Sequence, residues 1–448
     1  MASLHEIGAV ESGRRIRAGT LSPEDLLRAS LDRIDRVDPV VKAWVHLDRA
    51  AATRVAEERA VEARSQRFLG ALHGVPIALK DIFDAAGLPT TAGAAAFAHR
   101  HPTADATSVA RLRSAGAVVL GKVATTAFAF LDPSPTRNPW NPEHTPGGSS
   151  SGSAAAVAAR MVSLALGTQT VGSVLRPAAY CGVVGFKASH GLISTAGVVP
   201  LAWSLDHVGI FARSVEDCAL ALGLLAGADP ADPLSSGAPP GDYLAAIVDP
   251  VAPRLGVLRQ LVERATPGLA THIEQIVRAL QSAGALVSDV TLPPSYAHIH
   301  DAVNRMSRAE AATYHAPLFA KHADEYPPGI RAAIEEGRTI SAVDYLAAQQ
   351  TRRAFRAEMA PIAGRYDALL LPTAPGPAPK GLGSTGDPYF CAPWSFAGMP
   401  AIALPSGLDG AGLPLSIQLV GGVLAEARLL AAARWCEEAI GFSATPPL

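Results

Sequence analysis

The segment richest in potential chemistry runs Thr145-Pro146-Gly147-Gly148-Ser149-Ser150-Ser151-Gly152-Ser153 and leads into the Ala-rich stretch Ala154 to Arg160. Consecutive serines between glycines, at the start of a helix, offer hydroxyls and backbone N–H groups at the positive end of a helix dipole. Such a loop can hold an anion or activate a hydroxyl, and equally can be a Gly/Ser turn with serine as the helix cap. Gly148-Ser149-Ser150-Ser151-Gly152 also fits G-x-S-x-G, which would make Ser150 a nucleophile on a strand-to-helix elbow. That elbow must follow a buried strand, whereas Asn138 to Pro146 holds three prolines and no strand character. A phosphate-binding P-loop is excluded because no Gly-Lys-Ser/Thr ends the loop.

A second turn, Gly167-Thr168-Gln169-Thr170-Val171-Gly172-Ser173, follows the apolar run Val162 to Leu166. A serine after a glycine at the end of a strand can expose its Oγ while neighbouring N–H groups converge on one point, so nucleophile and oxyanion hole can share a turn. Something must take the serine proton. Lys80, which ends the apolar run Val75-Pro76-Ile77-Ala78-Leu79 and precedes Asp81, suits that role if buried, because desolvation lowers a lysine's pKa towards neutrality. His298, His300 and His315 invite a metal reading, but residues at i and i+2 on a helix point apart and no supporting acid is evident, so no metal site is expected.

These groups need a scaffold that brings strand ends together. Short apolar runs bounded by Gly and Pro alternate with Ala-rich helical stretches from Gly74 onward, the α/β pattern. Strands are predicted at Val75 to Lys80, Ala117 to Gly121, Val162 to Leu166, Val208 to Ala212, Leu255 to Leu258, Ala368 to Leu371, Ala401 to Leu404 and Leu415 to Leu419. Several are apolar at nearly every position, as central strands covered on both faces are. Ser22-Pro23-Glu24-Asp25 starts a helix that Asp38-Pro39 is expected to stop, and an Ala/Arg/Glu-rich helix is predicted to about Arg64. Asp229 to Pro253 reads as a surface excursion, and Thr266 to about Met359 as mostly helical. The strands after Tyr366 argue that the chain re-enters one sheet. The expected organisation is one domain over 1–448, with an N-terminal helical region at 1–65, a catalytic core at 66–228, a helical elaboration at 260–360 and a return to the sheet at 361–448.

Composition narrows the partners. The chain has 448 residues, 49% of them apolar, and 38 basic against 40 acidic side chains. A net charge of -2 gives no electrostatic basis for binding nucleic acid or an anionic membrane. The first twenty residues hold no apolar core of signal-peptide length, and no run reaches the roughly 18 apolar residues of a membrane span, so a cytoplasmic location is expected. Cys181, Cys218, Cys391 and Cys436 are far apart and form no CxxC pair, which suits buried or free thiols.

The chain resembles the amidase signature hydrolases. The resemblance rests on Gly74-Val75-Pro76-Ile77-Ala78-Leu79-Lys80-Asp81, Asn138-Pro139 leading to Thr145-Pro146-Gly147-Gly148-Ser149-Ser150, Leu166-Gly167-Thr168 through Gly172-Ser173, and Cys181-Gly182-Val183-Val184-Gly185-Phe186-Lys187. It continues in Ser204-Leu205-Asp206-His207-Val208-Gly209 and Gly412-Leu413-Pro414. It implies a large twisted mixed β-sheet covered by helices on both faces, with Ser173 as nucleophile, Lys80 as base and Ser149 as a bridging serine that follows a cis peptide bond. The N–H groups of Thr170, Val171, Gly172 and Ser173 would form the oxyanion hole, and no cofactor is implied. Phe128, Phe130 and Trp394 lie in regions where the family places substrate-binding residues, although core packing is the commoner role for each taken alone. Gln169 and Leu175 stand where the family often has aspartate and arginine, Arg176 being displaced by one position. Loss of both members suggests an ion pair replaced as a unit and puts the rigidity of the nucleophile turn in question.

The expected activity is a serine hydrolase that cleaves a carbon–nitrogen bond in a neutral, hydrophobic or aryl amide, aryl carbamates and anilides included. Two alternatives stand beside it. One is the amidase subunit of a tRNA-dependent amidotransferase, which passes ammonia to partner subunits. The other is a noncatalytic binding protein of the same fold, against which the intact Lys80, Ser149 and Ser173 set speaks. Sequence leaves the oligomeric state open.

Overall fold

A computed structural model describes residues 3–448. Its strands are β1 (Trp44–Leu47), β2 (Pro76–Lys80), β3 (Val118–Val123), β4 (Leu164–Gln169), β5 (Val184–Lys187), β6 (His207–Ala212), β7 (Arg254–Val257), β8 (Leu286–Asp289), β9 (Ala368–Pro372), β10 (Ala401–Leu408) and β11 (Pro414–Val420). All belong to one mixed sheet in the order β1-β3-β2-β4-β6-β5-β10-β11-β9-β7-β8. The eight predicted strands are present, and the chain does re-enter the same sheet after Tyr366.

Both faces are covered. In β2, Ile77 and Leu79 join one core and Ala78 the other; β4 repeats this with Leu164 and Leu166 against Ala165. Period-two alternation therefore sends every position of these strands into apolar packing, and β2 and β4 read as continuous hydrophobic runs. The helix Ser151–Ala158 is buried along its whole length, which the small side chains of its Ala-rich sequence permit. The four cysteines are free and buried. Among the described residues no helix is long and apolar enough to cross a membrane.

Three strands were not predicted. β1 and β8 are the two edges, short and half-exposed, and edge strands lack the apolar pattern that burial imposes. The third is β5, a short buried strand of four residues including Gly185. Asp38-Pro39 does not end the first long helix, which runs Pro23–Val41 and stops at Lys42 in the left-handed region, φ 55°. The N-cap is as expected: Ser22 Oγ accepts from Glu24 N–H at 3.2 Å.

The segment 260–360 supplies helices Pro267–Ser282, Ile299–His322, Pro328–Gly337 and Ala342–Ala363, with β8 among them. Glu310 ties this layer to the loop that carries Ser204. Buried, it accepts from Ser204 N–H at 2.9 Å, Ser204 Oγ at 2.5 Å and Tyr345 Oη at 2.7 Å.

Candidate active site

Strands β2 and β4 are parallel neighbours, with Leu79 opposite Leu166. Their carboxyl ends, carrying Lys80 and the turn after Gln169, therefore open side by side, where α/β folds place ligands. Lys80 has no exposed surface. Its Nζ donates to Ser149 Oγ at 2.7 Å and to Thr168 Oγ1 at 2.8 Å. Burial pushes its ammonium down to about 7 against the opposing pull of the Asp206 carboxylate, because desolvation penalises the charged form.

The serine loop is stitched onto β4. Ser150 Oγ donates to the Thr168 carbonyl at 3.1 Å and accepts from Thr168 N–H at 3.2 Å, and Ser153 Oγ donates to the Leu166 carbonyl at 2.9 Å. Ser150 thus joins the two turns and does not cap the helix. The Gly148–Ser149 peptide bond is cis. On its near side the Gly148 carbonyl accepts from Arg176 Nη2 at 2.7 Å. Arg176, almost fully buried, also donates to the Gly386 carbonyl at 2.8 Å and Thr385 Oγ1 at 3.1 Å. This arginine holds the serine loop against the segment 385–386.

In the second turn, Gln169 Oε1 accepts from the N–H groups of Val174 at 2.8 Å and Leu175 at 3.0 Å, the first donors of the helix Leu175–Cys181. A neutral amide does here what a carboxylate would do. The N–H groups of Thr170, Val171, Gly172 and Ser173 donate to no acceptor among the described residues, leaving a row of donors free. Thr170 Oγ1 donates to Asp206 Oδ1 at 2.5 Å, and Asp206 Oδ2 accepts from Leu201 N–H at 2.9 Å and Ala202 N–H at 3.0 Å. Burial pushes the Asp206 carboxyl up to about 6 despite these donors.

The structure brings Lys80 and Ser149 together directly. Ser173, 8% exposed, lies on the neighbouring turn without a hydrogen bond to Ser149. A cavity of about 350 Å³ lies beside these turns, with Thr168, Thr170, Asp206 and His207 in its lining; Lys80, Ser149 and Ser173 are not part of that lining. The expected aromatic pocket is not its wall. Trp394 is fully buried with Nε1 bonded to the Phe390 carbonyl at 2.9 Å, and Phe128 is stacked on Tyr326 in the core. Phe130 packs against the same core without lining the cavity. Its apolar wall is instead Pro200, Leu201, Trp203, Pro233 and Leu234. The last two belong to the excursion after Asp229, which is pinned inward where Asp232 Oδ2 accepts from Thr195 N–H at 2.7 Å and Oγ1 at 3.0 Å. Nothing in a Pro/Gly/Asp-rich sequence marks such inward pinning, because Asp229 and Asp232 take their donors from Ser194 and Thr195, 35 and 37 residues away. His300 stacks on Tyr389 and His315 bonds to Tyr326 Oη at 3.0 Å, so these histidines belong to aromatic clusters.

The sequence and the fold match known proteins along almost the whole chain. Residues 25–430 match the family model described as Amidase. The chain belongs to the amidase family, hydrolases of carbon–nitrogen amide bonds. Among curated relatives, a glutamyl-tRNA(Gln) amidotransferase subunit from Anaeromyxobacter sp. (strain K) is 39% identical, the match covering 99% of this chain and 98% of the relative. The same subunit from Chloroflexus aurantiacus is 36% identical, with 96% of each chain covered. Among solved structures, the native peptide amidase of Stenotrophomonas maltophilia superposes with a TM-score of 0.85 at 32% identity over 98% of each chain. A chain from a vestigial protein complex tied to the origins of an s-triazine catabolic enzyme gives a TM-score of 0.91 at 28% identity, covering 99% of this chain and all of that one.

Proposed function

We propose that this chain cleaves its amide substrate through an acyl-enzyme on Ser173, with Lys80 as base and Ser149 as proton carrier. One observation carries the proposal: Lys80 is wholly buried, and its hydrogen-bond partners are two hydroxyls, Ser149 Oγ and Thr168 Oγ1. A neutral amine can donate one N–H to Thr168 and turn its lone pair to the Ser149 proton. Ser149 then takes the proton of Ser173 as Ser173 Oγ attacks the carbonyl carbon. The carbonyl electron pair moves onto oxygen, where the free N–H groups of the 170–173 turn are the available donors. Collapse of the tetrahedral intermediate breaks the C–N bond, and the proton returns from Lys80 through Ser149 to the leaving nitrogen, since amines leave poorly as anions. Water resolves the acyl-enzyme over the same path reversed. The test is intact-protein mass after treatment with a fluorophosphonate. A single adduct mapped to Ser173 and absent from Ser173→Ala is expected, and an adduct elsewhere, or none, overturns the assignment.

What becomes of the nitrogen separates two finer readings. The curated relatives favour an amidotransferase subunit that hands its nitrogen to a partner: near-complete coverage at 36–39% identity leaves no segment of those subunits unmatched on a large scale. Under this reading the chain co-purifies with partner proteins and its amidase rate rises when they bind. A stand-alone hydrolase of neutral amides is the second reading, supported by the cavity, whose lining includes Asp206 and Asp232 but no Lys or Arg. A carboxylate-bearing substrate would find nothing there to offset its desolvation. Kinetics on matched amides differing in one carboxylate decide between them: a higher kcat/KM for the charged member excludes the second reading.

A further inference from the structure

Gln169 and Ser395 are both fully buried and take no part in the chemistry described above. They are linked to each other and to the nucleophile turn. Gln169 Nε2 donates to Ser395 Oγ at 2.9 Å, and Ser395 Oγ donates onward to the Val171 carbonyl at 3.0 Å. At its other end the same glutamine holds the Val174 and Leu175 N–H groups. The chain of contacts runs from the start of one helix to a residue on another, Ala392–Ala397, with Val171 between them.

In a planar trans peptide the C=O and the following N–H point in opposite directions, so fixing one aims the other. The Val171–Gly172 and Gly172–Ser173 bonds are trans, Gly148–Ser149 being the cis bond among the described residues. Ser395 therefore aims the Gly172 N–H by holding the Val171 carbonyl. The Ser173 N–H is aimed in the same manner, because the Gly172 carbonyl accepts from Arg176 N–H at 3.1 Å. We infer that Gln169 and Ser395 are positioning residues that orient the oxyanion-binding N–H groups, an inference that rests on the acyl-enzyme reading. The donor end of the glutamine is essential to it: a carboxylate at 169 keeps both acceptor contacts to Val174 and Leu175 but cannot donate to Ser395, whose hydroxyl then turns to the carboxylate and releases Val171.

The test uses the purified full-length chain with Ser395→Ala, Ser395→Thr, Gln169→Glu and a boronic acid inhibitor that forms a tetrahedral adduct on serine. Donors aimed at the tetrahedral state raise kcat without tightening ground-state binding. Ser395→Ala and Gln169→Glu are expected to lower kcat about tenfold or more, leave KM within about twofold, and weaken boronate inhibition in proportion to kcat/KM. Ser395→Thr, which retains the hydroxyl, is expected to restore most of the rate. A purely structural contact would lower the melting temperature without that proportionality. Unchanged kcat in Gln169→Glu, or equal loss in Ser395→Thr and Ser395→Ala, overturns the inference. If Ser395→Ala does not fold, Gln169→Glu carries the test, since it preserves volume and the helix cap. Fluorophosphonate labelling of the parent keeps the outcomes apart: no label on Ser173 removes the acyl-enzyme reading, whereas labelled Ser173 with unaffected variants removes only the brace.

Discussion

Lys80 at the end of β2 and Lys187 at the end of β5 are the same residue type, both without exposed surface, and burial pushes both ammonium groups down to about 7. Their partners differ in kind. Lys187 Nζ donates to the carbonyls of Ala188 at 3.2 Å and Met399 at 2.5 Å, while Lys80 donates to two hydroxyls. A carbonyl oxygen only accepts, so the proton Lys187 carries has nowhere to go and its amine no proton to take. A hydroxyl both accepts and donates, so Lys80 can exchange protons with Ser149 in either direction. A lowered pKa is therefore necessary for a lysine base but does not make one. A third case, Lys122, is lowered to about 8 by burial, yet its Nζ lies 3.6 Å from Asp81 and is bonded to the Phe83 carbonyl at 2.6 Å and Thr90 Oγ1 at 2.8 Å. It is one half of a buried ion pair with Asp81, the residue after Lys80.

The comparison breaks most sharply at Lys80. Lys80→Ala is expected to lower kcat/KM for amide hydrolysis roughly 10³- to 10⁴-fold, the range for loss of a positioned base, with the protein still folded by circular dichroism. A loss below about tenfold would make Lys80 as structural as Lys187.

Proton occupancy gives a smaller, graded effect. Only the neutral amine takes a proton, so kcat/KM should rise with pH through a midpoint near 7, about tenfold per unit below it, and level off above. The Asp206 carboxylate favours the charged amine; Asp206→Asn should therefore move the midpoint down. A profile flat between pH 5.5 and 8.5 in the parent would break the assignment. Lys122→Met sharpens the contrast on stability: it leaves Asp81 buried without its cation, a change that costs about 3–5 kcal/mol in denaturant unfolding.

The residues of the candidate site are legible as a group because the chemistry proposed for them restricts them to few residue types at fixed places in the chain: a lysine closing an apolar run, glycines flanking serines, a glycine-serine after a strand. The eight core strands were legible for a related reason, since burial on both faces leaves an unbroken apolar run. Trp394 and Phe128 show the limit. An aromatic side chain near a site is equally useful as packing, and only three-dimensional placement separates the two uses. Leu234 and Trp203, which do line the cavity, sit in loops whose path is set by side-chain hydrogen bonds: Asp232 reaches back to Thr195, 37 residues away, while Asp206 closes a tight local turn onto Ala202, and neither leaves a periodic apolar pattern to read. The Gln169 to Ser395 link spans more than two hundred residues and was invisible for the same reason.

The smallest expected effect on activity belongs to Lys187→Met, and its diagnostic lies elsewhere. If Lys187 only satisfies two carbonyls, kcat/KM should stay within about threefold of the parent, because no proton path runs through it. Stability should respond, since the Ala188 and Met399 carbonyls lose their donor at about 1–3 kcal/mol each, offset by removal of a buried amine. The sign of the pH dependence tests this account. Folding holds Lys187 near 7 while the unfolded chain keeps it near the ordinary 10.5, so between those values the unfolded state binds more protons and the parent's stability rises with pH. Above about 10.5 the burial cost is absent; it accumulates as pH falls to about 7 and is constant below. Methionine has no such dependence, and Lys80 titrates alike in both proteins and cancels in the difference. The parent's stability minus that of Lys187→Met should therefore be least at pH 7 and grow towards pH 10, measured by urea unfolding at each pH. A difference independent of pH would mean that Lys187 stays charged in the folded protein, and the likeness between the two lysines on which their contrast depends would fail.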